Sequence, residues 1–111
     1  MSFERFAIHV VDFPFSDKPL QKGRPALVLS DPAFSRATGN VVVAMITSAR
    51  HSTWPGDCAI GDLGAAGLTH DSIVRLRFAT IATPRFGRLQ GHLARSDRER
   101  VAESIRTVFA L

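Results

Sequence analysis

The sequence predicts a mainly β (α+β) fold: a small, strongly bent sheet or barrel with one C-terminal α-helix. Three observations carry this. Short apolar runs of strand length recur between Gly, Pro, Asn and Asp turn signals. The apolar residues within several runs alternate with the period of a strand. The C-terminal stretch changes to helical spacing. No repeat, low-complexity tract or linker interrupts the 111 residues, so the chain reads as one domain over 1–111 with a real but small core.

Residues 6–15 form the first predicted strand. Phe6, Ile8 and Val10 share one face, and Val11, Phe13 and Phe15 the other. That switch of parity predicts burial on both sides or a bulge. Pro14 marks its end. Residues 17–23 are a polar loop, and Ala26 to Leu29 is a short buried strand. Asp31-Pro32 reads as a turn, with Phe34 as an apolar plug, and Thr38-Gly39-Asn40 as another turn. Val41 to Ile46 is the most β-prone run and the predicted central strand, leaving the hydroxyls of Thr47 and Ser48 at its exit.

Residues 49–57 are a second polar loop. Cys58 to Ile60 is a short strand, and 61–69 is glycine-rich with at most one helical turn. Over 72–81, Val74, Leu76 and Phe78 point one way; Ile73, Arg75, Arg77 and Ala79 point the other. Pro84 breaks that strand, and 86–93 is a further one, with Gly87 and Gly91 allowing a bend. Ser96 and Glu99 have the spacing of a capping box. Val101, Ile105, Val108 and Phe109 then make one helical stripe that packs as a lid on the sheet.

Composition narrows the function. The hydrophobic content of 45% fits a globular chain and excludes a disordered one. No apolar run has the length of a membrane span. The opening MSFERFAIHVVDF, with Glu4 and Asp12, reads as structure and not as a signal peptide. Cys58 is the only cysteine, which excludes an internal disulfide and fits a reducing cytoplasm. Four scattered histidines give no metal-ligand spacing, so no metal or cofactor is expected. The net charge of +4 points to an acidic partner. Between Ser72 and Arg95 stand Arg75, Arg77, Arg85, Arg88 and Arg95 with no acid. A one-sign stretch of this kind fits nucleic acid, an acidic protein, or simply a solvated face.

Within KGRPALVLS, residues 22–30, Pro25 holds Arg24 extended at the mouth of a strand. On those residues alone Arg24 is a solvated cation and Thr47 a strand-end hydroxyl. The order of motifs changes that weighing. VVDFPFSD, KGRPALVLSDPAF, TGNVVVAMITS, SIVRLRFATI and a Gly-x-Leu step into a final helix resemble, in order and spacing, the MazF/PemK-like toxins of type II toxin–antitoxin systems. The resemblance runs along almost the whole chain. It implies an SH3-like small β-barrel with a C-terminal helix, a homodimer, and sequence-specific cleavage of single-stranded RNA without a metal. It also implies an acidic antitoxin as partner. The gyrase poison CcdB shares that fold without being a nuclease, so a non-catalytic reading stays open.

Metal-free RNA cleavage needs a proton acceptor for the attacking 2′-hydroxyl, a proton donor for the leaving oxygen, and donors facing the phosphorane. Arginine suits the last task because its fork meets two phosphate oxygens. The resemblance places the site on Arg24 and Thr47, with Ser48 as a supporting donor. Lys22, Arg75, Arg77, His51 and Trp54 are the expected RNA-binding residues, Trp54 through base stacking or antitoxin docking. Some relatives carry Arg-x-Asp where this chain has Arg75-Leu76-Arg77. Arg77 is no base at neutral pH, which leaves the acceptor unassigned among candidates such as His51 and Asp12. A family Gly-Asp pair before the first strand aligns with Phe6-Ala7. Phe86 reads as a core or dimer-interface plug, while Cys58 and His70 have no functional argument.

Overall fold

The computed structural model describes residues 2–13, 23–50 and 53–111. Six strands of the described residues form one antiparallel sheet: β1 (Ala7–Val11), β2 (Arg24–Val28), β3 (Asn40–Ser48), β4 (Cys58–Ala59), β5 (Ser72–Ala82) and β6 (Phe86–His92). Their spatial order is β4-β5-β3-β2-β1-β6. Three helices accompany it among the described residues: α1 (Pro32–Thr38), α2 (Leu63–Ala66) and α3 (Arg95–Phe109), with a 3₁₀ turn at Thr83–Arg85. The mainly β class with a terminal helix therefore holds, and the ladder stays open among the described residues, with β4 and β6 as its edges.

Both faces of the sheet are buried. Ile8, Leu27, Ala44, Ile46, Val74 and Leu76 join one cluster, which Leu93 and Val101 of the C-terminal segment cover. Their strand neighbours Ala7, Val11, Ala26, Val28, Val41, Val43 and Ile81 join the other with Phe3 and Phe86. Adjacent residues go to opposite clusters, as a pleated strand requires. The parity switch in β1 thus has both expected causes: two buried faces, and register shifts against β6 between Ile8 and Val11. β1 itself ends at Val11, and the expected strand end at Pro14 and Phe15 lies outside the described residues. β2 begins two residues earlier than the apolar run, at Arg24.

Two expectations are corrected. Asp31-Pro32 opens a helix, not an isolated turn. The Asp31 carboxylate accepts the Ala33 N–H at 2.8 Å, Pro32 fits the first helical turn, and Gly39 ends α1 with φ 71°. Phe34 consequently lies on an exposed helix surface rather than plugging the core. The capping box also fails. Ala94 is the N-cap of α3 with no side-chain cap bond, so Ser96 falls inside the first turn and Glu99 pairs with Arg95 at 3.3 Å. The α3 stripe is covered at Val101 and half-covered at Ile105, while Val108 and Phe109 remain exposed, the Phe109 ring centroid 5.3 Å from that of Phe78. None of the described helices is long and apolar enough to cross a membrane.

Two local devices hold the helices to the sheet. Gly67 ends α2 with φ 71°, and a Cβ there would stand 2.1 Å from the Gln90 carbonyl oxygen; α2 therefore lies directly on the β6 backbone. Phe6, at the Gly position of the resemblance, adopts φ 70°. This strain is offset by its N–H donating to Val28 O at 2.7 Å, its carbonyl accepting from Leu93 N–H at 3.0 Å, and packing of its ring on the first cluster.

Asp97 joins α3 to the β4–α2 connection. Its carboxylate is buried and accepts the N–H groups of Gly61 at 2.9 Å and Asp62 at 3.0 Å, with the Arg100 guanidinium also donating. Burial alone would raise this carboxyl. The N–H bonds from Asp62 and Gly61 and the charge of Arg100 outweigh it and hold the group below the ordinary carboxylate range. Its stabilisation is therefore full above about pH 4, the ordinary Asp value, and is lost as pH falls through the lower folded value. Asp97→Ala is expected to lower the unfolding free energy by about 2–3 kcal/mol at neutral pH. In urea melts its deficit against the parent should shrink on acidification, and a deficit that is constant into strong acid would contradict this account.

Candidate functional site

The site residues are set by strand register. β2 pairs β3 through Ala26↔Met45, Leu27↔Ala44 and Val28↔Val43. The ladder ends at Ala26↔Met45, and the same register carried two residues further would set Arg24 opposite Thr47. Side-chain alternation puts Arg24 on the face of Ala26, and Thr47 on the face of Val43 and Met45. β5 adds Arg75 to the same face, because Arg75 pairs Met45. One corner of one face of the sheet thus collects Arg24, Thr47 and Arg75. Arg24 is exposed at the start of β2, and Thr47 is half-buried near the end of β3.

Ser48 behaves differently. It alternates to the opposite face, and its hydroxyl accepts the Arg50 N–H at 3.3 Å. There it lines an open cavity of about 790 Å³ with Arg50, Thr69, His70 and Asp71. The expected grouping of Ser48 with Thr47 is one of sequence, not of direction. Lys22 and His51 lie outside the described residues. Asp12 is exposed at the other side of β1, 3.5 Å from the Arg85 guanidinium. Phe86 is a core plug, packed edge-on against Phe3 with ring centroids 4.9 Å apart and against His9 at 5.8 Å. Cys58 is buried with its sulfur 3.2 Å from Ser104 Oγ.

The strand that carries the arginines has a bulge. Ala44 pairs Phe78 but Met45 pairs Arg75, which leaves Leu76 and Arg77 without partners across the ladder. Val74, Leu76 and Phe78 still face one cluster and Ala79 the other, as expected. The two arginines have different surroundings. Arg77 is exposed. Arg75 is largely covered and gives a two-point contact to Asp57, Nε to Oδ1 at 3.2 Å and Nη2 to Oδ2 at 3.0 Å. Hydrogen bonding to Asp57 pushes this guanidinium further up from its already high value.

Asp57 organises the loop as well as the arginine. Its Oδ2 accepts the Trp54 N–H at 3.0 Å, and its own N–H donates to Trp54 O at 3.0 Å. The Arg75 guanidinium carbon then sits 5.9 Å from the Trp54 ring centroid, a cation–π distance. Asp57 is the residue that sequence reasoning missed. Its partner is 18 positions away, and only the β4–β5 pairing Cys58↔Val74 brings the two together. The signal available beforehand was weak: an acid beside a tryptophan in a polar loop, near an otherwise acid-free arginine strand.

Gly23, just before Arg24, sets the approach of β2 to β1. A Cβ there would stand 2.1 Å from Val10 Cγ1. Gly23→Ala is expected to cost about 1–3 kcal/mol in urea melts, with Val10→Ala in the same chain recovering most of the loss. Simple additivity of the two changes would show that this contact is not the cause.

The model of the PemK-like, MazF-like toxins of type II toxin–antitoxin systems matches residues 4–109. No curated protein matches the chain in sequence. Among solved structures, Mycobacterium tuberculosis toxin MazF-mt6 is 28% identical, with TM-score 0.73 over 95% of this chain and 97% of its own. An endoribonuclease from a mycobacterial species, in complex with its cognate antitoxin, is 19% identical with TM-score 0.77 over 99% and 97% of the two chains. MazF from Deinococcus radiodurans is 17% identical with TM-score 0.76 over 100% and 99%. The last two are likenesses of fold.

Proposed function

Because the chain belongs to the PemK-like, MazF-like toxins of type II toxin–antitoxin systems, we propose that it is a sequence-specific endoribonuclease that cuts single-stranded RNA without a metal. What supports this reading most is strand register and side-chain alternation, which put Arg24 and Thr47 on one face of the sheet. The names of the similar mycobacterial structures support it.

In the proposed reaction the 2′-oxygen attacks the adjacent phosphorus. The bond to the 5′-oxygen of the next nucleotide breaks. The products are a 2′,3′-cyclic phosphate and a 5′-hydroxyl, so one proton leaves the 2′-oxygen and one reaches the departing oxygen. The Arg24 fork holds two non-bridging oxygens, and the Thr47 hydroxyl donates to the charge that develops on them. The Asp57–Arg75 pair fixes the wall beside them. Ser48, facing the neighbouring cavity, supports the strand exit. The exposed cations, Arg77 among them and Lys22 in the loop before Arg24, draw the RNA backbone toward this corner. The protein works as a cytoplasmic homodimer, and an acidic antitoxin competes with RNA for the same basic surface.

A second reading, a non-catalytic member of the same fold, is favoured by one observation. The position where some relatives carry an acid is the exposed Arg77, and Asp57 engages the fork of Arg75. One experiment separates the two. Purified protein should cut RNA in EDTA. Arg24→Ala and Thr47→Ala should each lower the rate by about 100-fold or more while circular dichroism stays unchanged. Uncut RNA with the parent protein, or undiminished cutting by Arg24→Ala, contradicts the nuclease assignment or its site respectively.

A further inference from the structure

We propose that the 53–57 turn is a nucleobase subsite, in which Trp54 is the stacking surface for one unpaired base of the RNA and Asp57 is its positioning residue. The inference rests on the RNA-cleaving reading above and adds to it a recognition element outside the Arg24–Thr47 corner.

Three features of the turn point to this use. Trp54 keeps 42% of its surface exposed, although it is the largest apolar side chain type and stands beside an apolar strand. Its backbone is nevertheless held at both ends. Asp57 takes the Trp54 N–H at 3.0 Å and returns its own N–H to Trp54 O at 3.0 Å. Gly56, at φ 90°, lets the turn lie against β5, where a Cβ would come 3.1 Å from Leu76 Cδ1. An exposed aromatic ring on an anchored backbone, with a guanidinium against its other side, loses less freedom when a base stacks on it than one on a free loop. That is the requirement for a platform which accepts bases by their π-face.

Charge decides which part of a nucleotide belongs here. The Asp57 carboxylate is spent on Arg75, through contacts of 3.2 and 3.0 Å, so this guanidinium is locally neutralised. Its role is to support the ring from beneath at 5.9 Å, not to grip a phosphate. Arg77, two residues on and exposed, remains to meet the backbone of the stacked nucleotide. A flat apolar ring with a neutralised base beneath it and a solvent-facing cation beside it fits an unpaired base with its phosphate flanking. Asp57 acts through the two side chains it holds: without it the ring loses its N–H anchor and Arg75 its fixed geometry.

Trp54 is the only tryptophan in the chain, so its emission reports this position alone. The probe is a set of short single-stranded 2′-O-methyl oligonucleotides, oligo-U, oligo-A, oligo-C and a mixed sequence, which bind without being cut. Fluorescein-labelled copies followed by anisotropy give binding independently. The expected result is quenching of Trp54 emission that saturates with the anisotropy signal. Trp54→Ala should bind about tenfold more weakly or worse. Asp57→Asn, checked as folded by urea melts, should keep the backbone acceptor but show a smaller quench at saturation, with Asp57→Glu restoring part of it. Binding by anisotropy with no change in emission, or equal affinity in Trp54→Ala, overturns the subsite and leaves the RNA reading intact. A full-amplitude quench in Asp57→Asn overturns the positioning role. No binding of any oligonucleotide overturns both readings.

Discussion

The double burial of β3 is the constraint on which the rest of this structure depends. The strand is laddered to β2 on one edge and β5 on the other, and its successive side chains serve two different clusters. A slip of one residue would exchange Val41 and Val43 for Ala44 and Ile46 in both clusters at once, so register is strongly specified. That precision is inherited by the strand's exit. Thr47 owes its direction to Val43, and the approach of Arg24 follows from Ala26↔Met45. The candidate site is thus a by-product of core packing, carried two residues past the Ala26↔Met45 pair.

What could be read in advance follows the same division. Elements whose signal is local and periodic were legible: β3, β5, the terminal helix, the single helical turn before Gly67 and the two hydroxyls at the strand exit. Elements decided by competition between local signals were not. Asp31-Pro32 satisfies a turn and a helix start equally well, and only the carboxylate reaching Ala33 N–H selects the helix. Ser96 and Glu99 have the capping spacing, but the buried Asp97 between them fixes where the helix begins by tying itself to Gly61 and Asp62. A tertiary bond outweighed a local cap. The left-handed backbone at Phe6 was equally hidden, although the aligned Gly of the family resemblance is the residue type such a φ favours.

The corner formed by Arg24, Thr47 and Arg75 was legible as a list of residues, yet the role of each depended on partners far away in sequence. Strict alternation put Arg75 and Arg77 on one face as equals. A bulge at Leu76–Arg77 and a carboxylate delivered by the turn before β4 make them different, one a covered strut and the other an exposed cation. The acid absent from the strand itself is present in space, bound to the arginine of that strand. Both oxygens of Asp57 accept hydrogen bonds from Arg75 or Trp54, so this acid serves the arginine and the turn.

Folding changes the basic segment in the same way. Its five arginines stand in an acid-free stretch of sequence, but three of them meet acids in the fold: Arg75 with Asp57, Arg85 with Asp12 and Arg95 with Glu99. The exposed pairs among these contribute little to stability, yet they cancel charge within a Debye length of about 8 Å and so thin the field. Arg77 and Arg88 have no ion-pair partner among the described residues, and neither does Arg24. Their positions are linked through the ladder: Val11 faces Arg24 on one side and Phe86 on the other, with Arg88 two residues beyond, while Arg77 borders the bulge next to Met45↔Arg75. Arg24 thus keeps its charge where β2 begins, although Arg5, Arg36, Arg50 and Arg98, elsewhere in the fold, also have no ion-pair partner among the described residues. In the proposed reaction Arg24 would therefore both attract the phosphate and hold it, two roles that rest on the same strand register.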